Sequence, residues 1–156
     1  MNRQELINLV QKIVADAKEL CDKHTSEKSA PVNYACVFSK SDEEFEMLLP
    51  FAQELGSVVE ETKMGPVFQI MPINTVAGPL ELLKIRKPDS KRPERGDADF
   101  TVSNYAQFKK MYLGKHGFDL IVRDNMEMIE LADPDFDVLA YFSNPILFNV
   151  LKLQHR

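Results

Sequence analysis

Three carboxylates stand where a strand would aim them into shared space. Glu81 interrupts the apolar run Leu80–Ile85, and Asp97 and Asp99 lie two residues apart in Gly96-Asp97-Ala98-Asp99-Phe100. Alternation along a strand puts Asp97 and Asp99 on one face, with Ala98, Phe100 and Val102 on the other. Carboxylates so placed repel, which raises one pKa or recruits a cation, so the pair suits shared-proton acid/base work or a metal site. Glu81 falls with Leu83 and Ile85, where a carboxylate is costly unless it meets a cation, a donor or a proton. In that setting Glu81 is a candidate ligand or general base, and Asp99 a candidate catalytic partner. The plainer readings are a Glu81 paired with a nearby Lys or Arg or facing solvent on an edge, and an Asp97 that is simply wet at a strand start.

Between these runs lies a joint dense in charge: Lys84, Arg86, Lys87, Lys91, Arg92 and Arg95 in an otherwise acidic chain. These cations could clamp a carboxylate or phosphate on a substrate entering the cup, with Arg86 and Arg95 the first candidates, against the plainer reading of a solvated loop. His24, His116 and His155 sit near element ends and are not candidate bases. No nucleotide-binding loop, nucleophile elbow or histidine-rich zinc motif occurs. The methionines read as adaptable core or cavity lining.

The chain has 156 residues, enough for one domain with a full core, and 44% hydrophobic content is ordinary for a globular protein. A formal net charge of -5 argues against a general nucleic-acid binder, which needs a basic face. The two cysteines, Cys21 and Cys36, belong to no metal-ligand cluster and read as core thiols. No signal-peptide h-region or membrane-length apolar run is present, so a cytoplasmic protein with a small-molecule ligand and no membrane is expected, as either monomer or homodimer.

These candidates need elements to hold them. Apolar residues from Leu6 to Cys21 recur at helical spacing behind an Asn2/Glu5 capping box, predicting a helix within 1–28. A first module, 32–86, follows: strand Val32–Phe38, a helix capped by Ser41 and ended by a left-handed Gly56, then strands Ser57–Thr62, Val67–Met71 and Leu80–Arg86. Pro50 should kink that helix. The second module, 97–142, repeats the order: strand Asp97–Val102, a helix capped at Ser103 or Asn104 and running to Lys115–Gly117, then strands Phe118–Arg123, Met126–Leu131 and Phe136–Phe142. A C-terminal helix occupies 145–156. A β-α-β-β-β unit used twice predicts an α+β fold whose mixed sheet closes around a cup, with helices outside.

That paired βαβββ order resembles the vicinal-oxygen-chelate (glyoxalase/bleomycin-resistance/dioxygenase) superfamily over Val32 to Phe142, and the extra N-terminal helix resembles its YecM-like branch. Pro79-Leu80-Glu81-Leu82 resembles the family's fourth-strand I-E-L, and Asp133-Pro134-Asp135-Phe136 its D-P-D-G turn before the eighth strand. Lys63-Met64-Gly65-Pro66 resembles the N-G-R-P turn of the YecM-like proteins. The resemblance implies one divalent metal at positions that fall here on Asn33, Glu81, Asp97 and Ala140. Asn33 reads on its own as a strand-entry residue, and Ala140 cannot ligate. Alternation places Ala140 with Val138 and Phe142, and the family register turns that face into the cup. Three oxygen ligands suit Mg, Mn or Ca rather than Zn. Three functions remain open: a metal-assisted lyase, isomerase or epimerase on a small oxygen-rich metabolite, a metal-free small-ligand binding module, and a vestigial regulatory or interaction protein.

Overall fold

The computed structural model describes residues 1–156. Its elements run α1 (Arg3–His24), β1 (Val32–Phe38), α2 (Asp42–Leu55), β2 (Gly56–Thr62), β3 (Gly65–Thr75), β4 (Gly78–Arg86), β5 (Gly96–Phe100), α3 (Tyr105–Tyr112), β6 (Phe118–Val122), β7 (Glu127–Leu131), β8 (Val138–Asn144) and α4 (Leu147–Val150). The strands form a single 8-stranded sheet in the order β2-β3-β4-β1-β5-β8-β7-β6. Within each module the first strand lies parallel to the fourth, β1 to β4 and β5 to β8, while β1 and β5 run antiparallel. The order therefore reads alike from both ends, as a duplicated unit with a twofold at its centre should. That axis passes between Ala35 and Ala98, which face each other across β1 and β5, with Leu83 beside one and Ala140 beside the other.

One face of the sheet is the core. The stripe Leu6, Val10, Ile13, Val14, Ala17, Leu20 and Cys21 of α1 is buried and packs in one cluster with Ala35, Val37, Leu83, Ile85, Ala98, Phe100, Ala140 and Phe142. Each fully buried Val, Leu or Phe there is worth about 1.5–3 kcal/mol before entropy is counted. The small side chains along the axis let α1 lie close: a β-carbon on Gly96 would come within 2.3 Å of the Cys36 carbonyl and 2.8 Å of the Ile13 side chain. The opposite face carries Cys36, Phe38, Leu139 and Tyr141 as a separate cluster. This is the cup face. Both cysteines are buried free thiols. No helix is long and apolar enough to cross a membrane.

Local chemistry explains the element ends. Asn2 and Glu5 form the reciprocal capping box of α1. Ser41 accepts from the Glu44 N–H, and Asn104 from that of Gln107. Helix α2 runs from Asp42 to Leu55 with the exposed Pro50 inside it, where it removes a single backbone bond. Several expectations need correcting. Gly56 is not left-handed. Its φ of -178 is extended, and glycine is needed because a β-carbon would strike the Gln69 carbonyl at 1.9 Å. Helix α3 ends at Tyr112, ahead of the expected Lys115–Gly117. Strand β5 ends at Phe100 rather than Val102 because the Thr101 N–H turns to the Pro31 carbonyl. Strand β8 starts at Val138 rather than Phe136, whose N–H is taken by the Asp133 carbonyl in the turn. It then continues to Asn144, pairing Ser143 with Met128.

After β8 the chain folds back across the cup face of the first module. Phe148 packs on Val67 and Leu82, and the Gln69 amide donates to the Gln154 carbonyl at 2.7 Å.

Candidate functional site

Two rows of side chains cross the floor of the cup. Strand pairing sets Lys84, Cys36, Asp97 and Leu139 in one row, and Tyr34, Asp99 and Tyr141 in the next. Above them opens a cavity with an outer lobe of ≈ 270 Å³ and an inner lobe of ≈ 210 Å³. Both lobes touch Tyr34, Lys84, Asp97, Arg123, Met128 and Tyr141. Asp99 and Ser143 face the outer lobe, and Arg86 and Arg92 the inner one.

The two aspartates share a face, as alternation requires, but they live differently. Asp99 is fully engaged: it accepts from the Ser143 hydroxyl, from the Ser143 N–H at 3.3 Å and from the Asn33 amide at 3.1 Å. Burial pushes its pKa up to about 6, with those bonds holding it down. Asp97 has no such support, and its buried Oδ1 has no partner. Burial and then the neighbouring Asp99 push Asp97 up to about 8, against the pull of Lys84, Arg86 and Arg92. Near neutral pH the pair thus carries one negative charge, on Asp99, and one proton, on Asp97.

The surrounding groups fix this state. Tyr141 donates to Glu130 at 2.5 Å, and Arg92 reaches the same oxygen at 3.2 Å. Burial, Asp97 and Glu130 raise the Tyr141 phenol. Burial likewise keeps the Tyr34 phenol and Cys36 thiol well above their ordinary values. Cys36 is therefore no nucleophile at neutral pH.

The expected ligand set does not assemble. Asn33 does reach the site, because the β1–β5 register shifts between Val32 and Tyr34 and swings it beside Asp99. Its Nδ2 donates to Asp99 and to Thr101, the latter at 2.9 Å, while its Oδ1 is buried without a partner. Glu81 does not meet Asp97 or Asp99. Its carboxylate accepts from the Arg156 N–H at 2.8 Å and bonds the His155 ring, which stacks on Phe148. Burial pushes Glu81 up, but these tail contacts outweigh it and leave its pKa lowered. Strict alternation failed at this residue because the β3–β4 register shifts between Gln69 and Ile73, opposite Leu82 and Leu80. Consequently Leu80, Leu83 and Ile85 all enter the main core while Leu82 joins the tail cluster.

Ala140 is correctly grouped with Val138 and Phe142, yet that face looks at α1 and not into the cup. Its neighbours Leu139 and Tyr141 are the ones on the cup face. No group of three or more His, Cys, Asp or Glu side chains is placed to hold a metal ion. The four positions implied by the superfamily resemblance therefore do not fit a shared cation here.

The expected anion clamp is also divided. Arg95 grips Glu44 through two bonds, at 2.6 and 3.0 Å, and the Phe38 carbonyl at 3.0 Å, tying β5 to the start of α2. Arg86 does line the inner lobe, held by Asp89 at 2.9 Å and lying over the Phe38 ring. Sequence reasoning grouped Lys84 with the joint's cations that could clamp an anion entering the cup but put Arg86 and Arg95 first, and it passed over Tyr34, Tyr141, Ser143 and Arg123. The signal for Lys84 was present: a lysine inside an apolar strand is as conspicuous as the glutamate three residues before it.

No protein-family profile matches the chain, and no curated protein matches it. Among solved structures it resembles structural genomics protein EC4020, with a TM-score of 0.69 and 12% identity over 97% of this chain and 95% of that one. At that identity the likeness speaks for the fold alone. The class defined so far is an α+β protein with a polar, proton-holding cup.

Proposed function

We propose that this chain is a glyoxalase-like cup protein of the vicinal-oxygen-chelate type that works without a bound metal. It holds a small oxygen-rich metabolite and moves a proton on it, as an isomerase, epimerase or lyase does. The observation that carries this reading is Asp97: a buried carboxyl, protonated near neutral pH, with an unpartnered oxygen in a ligand-sized cavity. With a pKa near the working pH, Asp97 serves in both directions: its ionised fraction takes the proton from the carbon beside the substrate carbonyl, and the carboxyl so formed returns it to the product, a role that contributes about 10²–10⁴-fold. Asp99 keeps the proton on Asp97 by its charge and is a positioning residue. Tyr34 offers a further hydroxyl to substrate oxygens, while the Ser143 hydroxyl stays committed to Asp99.

A second reading is favoured by one feature. Asp99 is so fully bonded that it makes a poor base, which suits a module that binds without turnover. Proton NMR in deuterated buffer separates the two. With small hydroxy-ketones and 2-oxo acids as probes, exchange at the carbon beside the carbonyl is expected with the wild type and lost with Asp97→Asn. Saturable binding without exchange assigns the sequestering module. An Asp97 carboxyl that titrates near the ordinary aspartate value by carbon-13 NMR overturns the proton-donor reading.

A further inference from the structure

The inner lobe is electrostatically unlike the rest of the molecule. The chain carries a formal net charge of -5, yet this lobe is walled by Lys84, Arg86, Arg92 and Arg123 with Asp97 as its one acidic residue. Two of the cations are already answered: Arg86 by Asp89 at 2.9 Å and Arg92 by Glu130 at 3.2 Å. Lys84 and Arg123 have no carboxylate within salt-bridge reach of 4.0 Å. Lys84 is half-buried in the middle of β4, between Val67 of β3 and Cys36 of β1. A cation held between an apolar side chain and a thiol is costly unless a counter-charge arrives. Arg86 adds a buried Nε without an acceptor, an unsatisfied donor on the same side chain. Asp97 offers little neutralisation, since it keeps its proton up to about pH 8.

We propose that the inner lobe is an anion subsite, where a carboxylate or phosphate group of a small ligand sits between the Lys84 ammonium and the Arg123 guanidinium. The inference rests on reading the cup as a small-ligand site and names the chemical class of that ligand. Met64, Ile121 and Met128 cover the same lobe, so the remainder of the ligand is a short carbon skeleton directed past Asp97 towards the outer lobe. Arginine supplies a planar fork and lysine a point charge, which together accept either oxyanion.

Calorimetric titration with inorganic phosphate, with malonate and with neutral malonamide tests this. Saturable binding of phosphate or malonate is expected, with malonamide at least about tenfold weaker and the anion affinity falling as salt is raised. Lys84→Met and Arg123→Gln should each weaken the anion by about tenfold or more, while Lys91→Met, outside the lobe, leaves it unchanged. Thermal melts confirm that each variant is folded, and Arg123→Gln, on an exposed side chain, keeps the test open should Lys84→Met fail to fold. Preference for phosphate assigns a phosphate ester, and preference for malonate a carboxylic acid. Absence of saturation by both anions, or full affinity in both cavity variants, overturns the subsite. The two readings fail separately. Anion binding with an ordinary Asp97 titration sinks the proton donor and leaves the subsite. A high Asp97 titration without anion binding does the reverse.

Discussion

Replacing Asp97 with asparagine should make the protein more stable, and by an amount that depends on pH. The group is buried, and its pKa is raised from 3.8 to about 8. A carboxyl whose folded pKa lies above its unfolded value binds its proton more tightly in the folded state. Its contribution is therefore fully present below pH 4 and is lost as pH rises towards 8. At about 1.4 kcal/mol per pH unit, keeping Asp97 protonated at pH 7 costs the fold roughly 4 kcal/mol against an exposed aspartate. Asparagine has no proton to lose, so Asp97→Asn should be stabilising by about 2–4 kcal/mol at pH 7, the lower figure allowing for an imperfectly bonded amide. Near pH 4 the two proteins should converge. Asp99, raised from 3.8 to about 6, titrates in both and sets a shared loss of stability as pH rises from about 4 to 6. Urea unfolding at several pH values between about 4 and 8 measures the difference directly. A pH-independent difference, or a variant less stable at pH 7 than at pH 4 relative to wild type, refutes the assigned protonation state.

Other perturbations follow from the same geometry. Ala140→Glu should cost about 3–5 kcal/mol or prevent folding, because it drives an unpaired carboxylate against α1; a well-folded variant with new Mn²⁺ affinity contradicts the assigned face. Arg95→Ala, which cuts the grip on Glu44 and on the Phe38 carbonyl, should lower stability by about 1–3 kcal/mol, with a double-mutant cycle against Glu44→Gln locating the coupling. Calorimetry with Mn²⁺ or Mg²⁺ should give no saturable micromolar site, whereas such a site lost in Asp97→Asn would show that the cup does gather metal ligands.

Much of this architecture was legible in residues that act locally. Asn2 with Glu5, Ser41 with Glu44 and Asn104 with Gln107 mark helix starts through bonds spanning three residues, so sequence spacing suffices. Asp97 and Asp99 share a face because no irregularity interrupts β5 between them. The failures have a common physical origin. Alternation gives two faces without saying which one meets a helix, so Ala140 was grouped with its true neighbours and aimed the wrong way. Alternation also breaks wherever a strand bulges: the shift near Glu81 lies in the adjoining β3, whereas the one near Asn33 depends on β5, far along the chain. The tail from Gln154 to Arg156 has no periodic pattern, and only its docking on Gln69 and Glu81 reveals a purpose. Lys84 stood out from the other cations of the joint only once Cys36 and Asp97 were known to lie in its row.

The central seam also constrains how the chain reaches this state. Helix α1 precedes every strand it covers, and these include β1, β5 and β8, with β8 following all the other strands. Until β8 is in place, the apolar stripe from Leu6 to Cys21 lacks part of its floor. Hairpins such as β2–β3 and β6–β7 can form early and locally, whereas β1–β4 and β5–β8 are parallel and close long loops. Sheets dominated by such distant pairings fold slowly. A growing chain therefore carries α1 with its apolar stripe only partly covered until β8 emerges, and in that interval the stripe is the surface most exposed to aggregation.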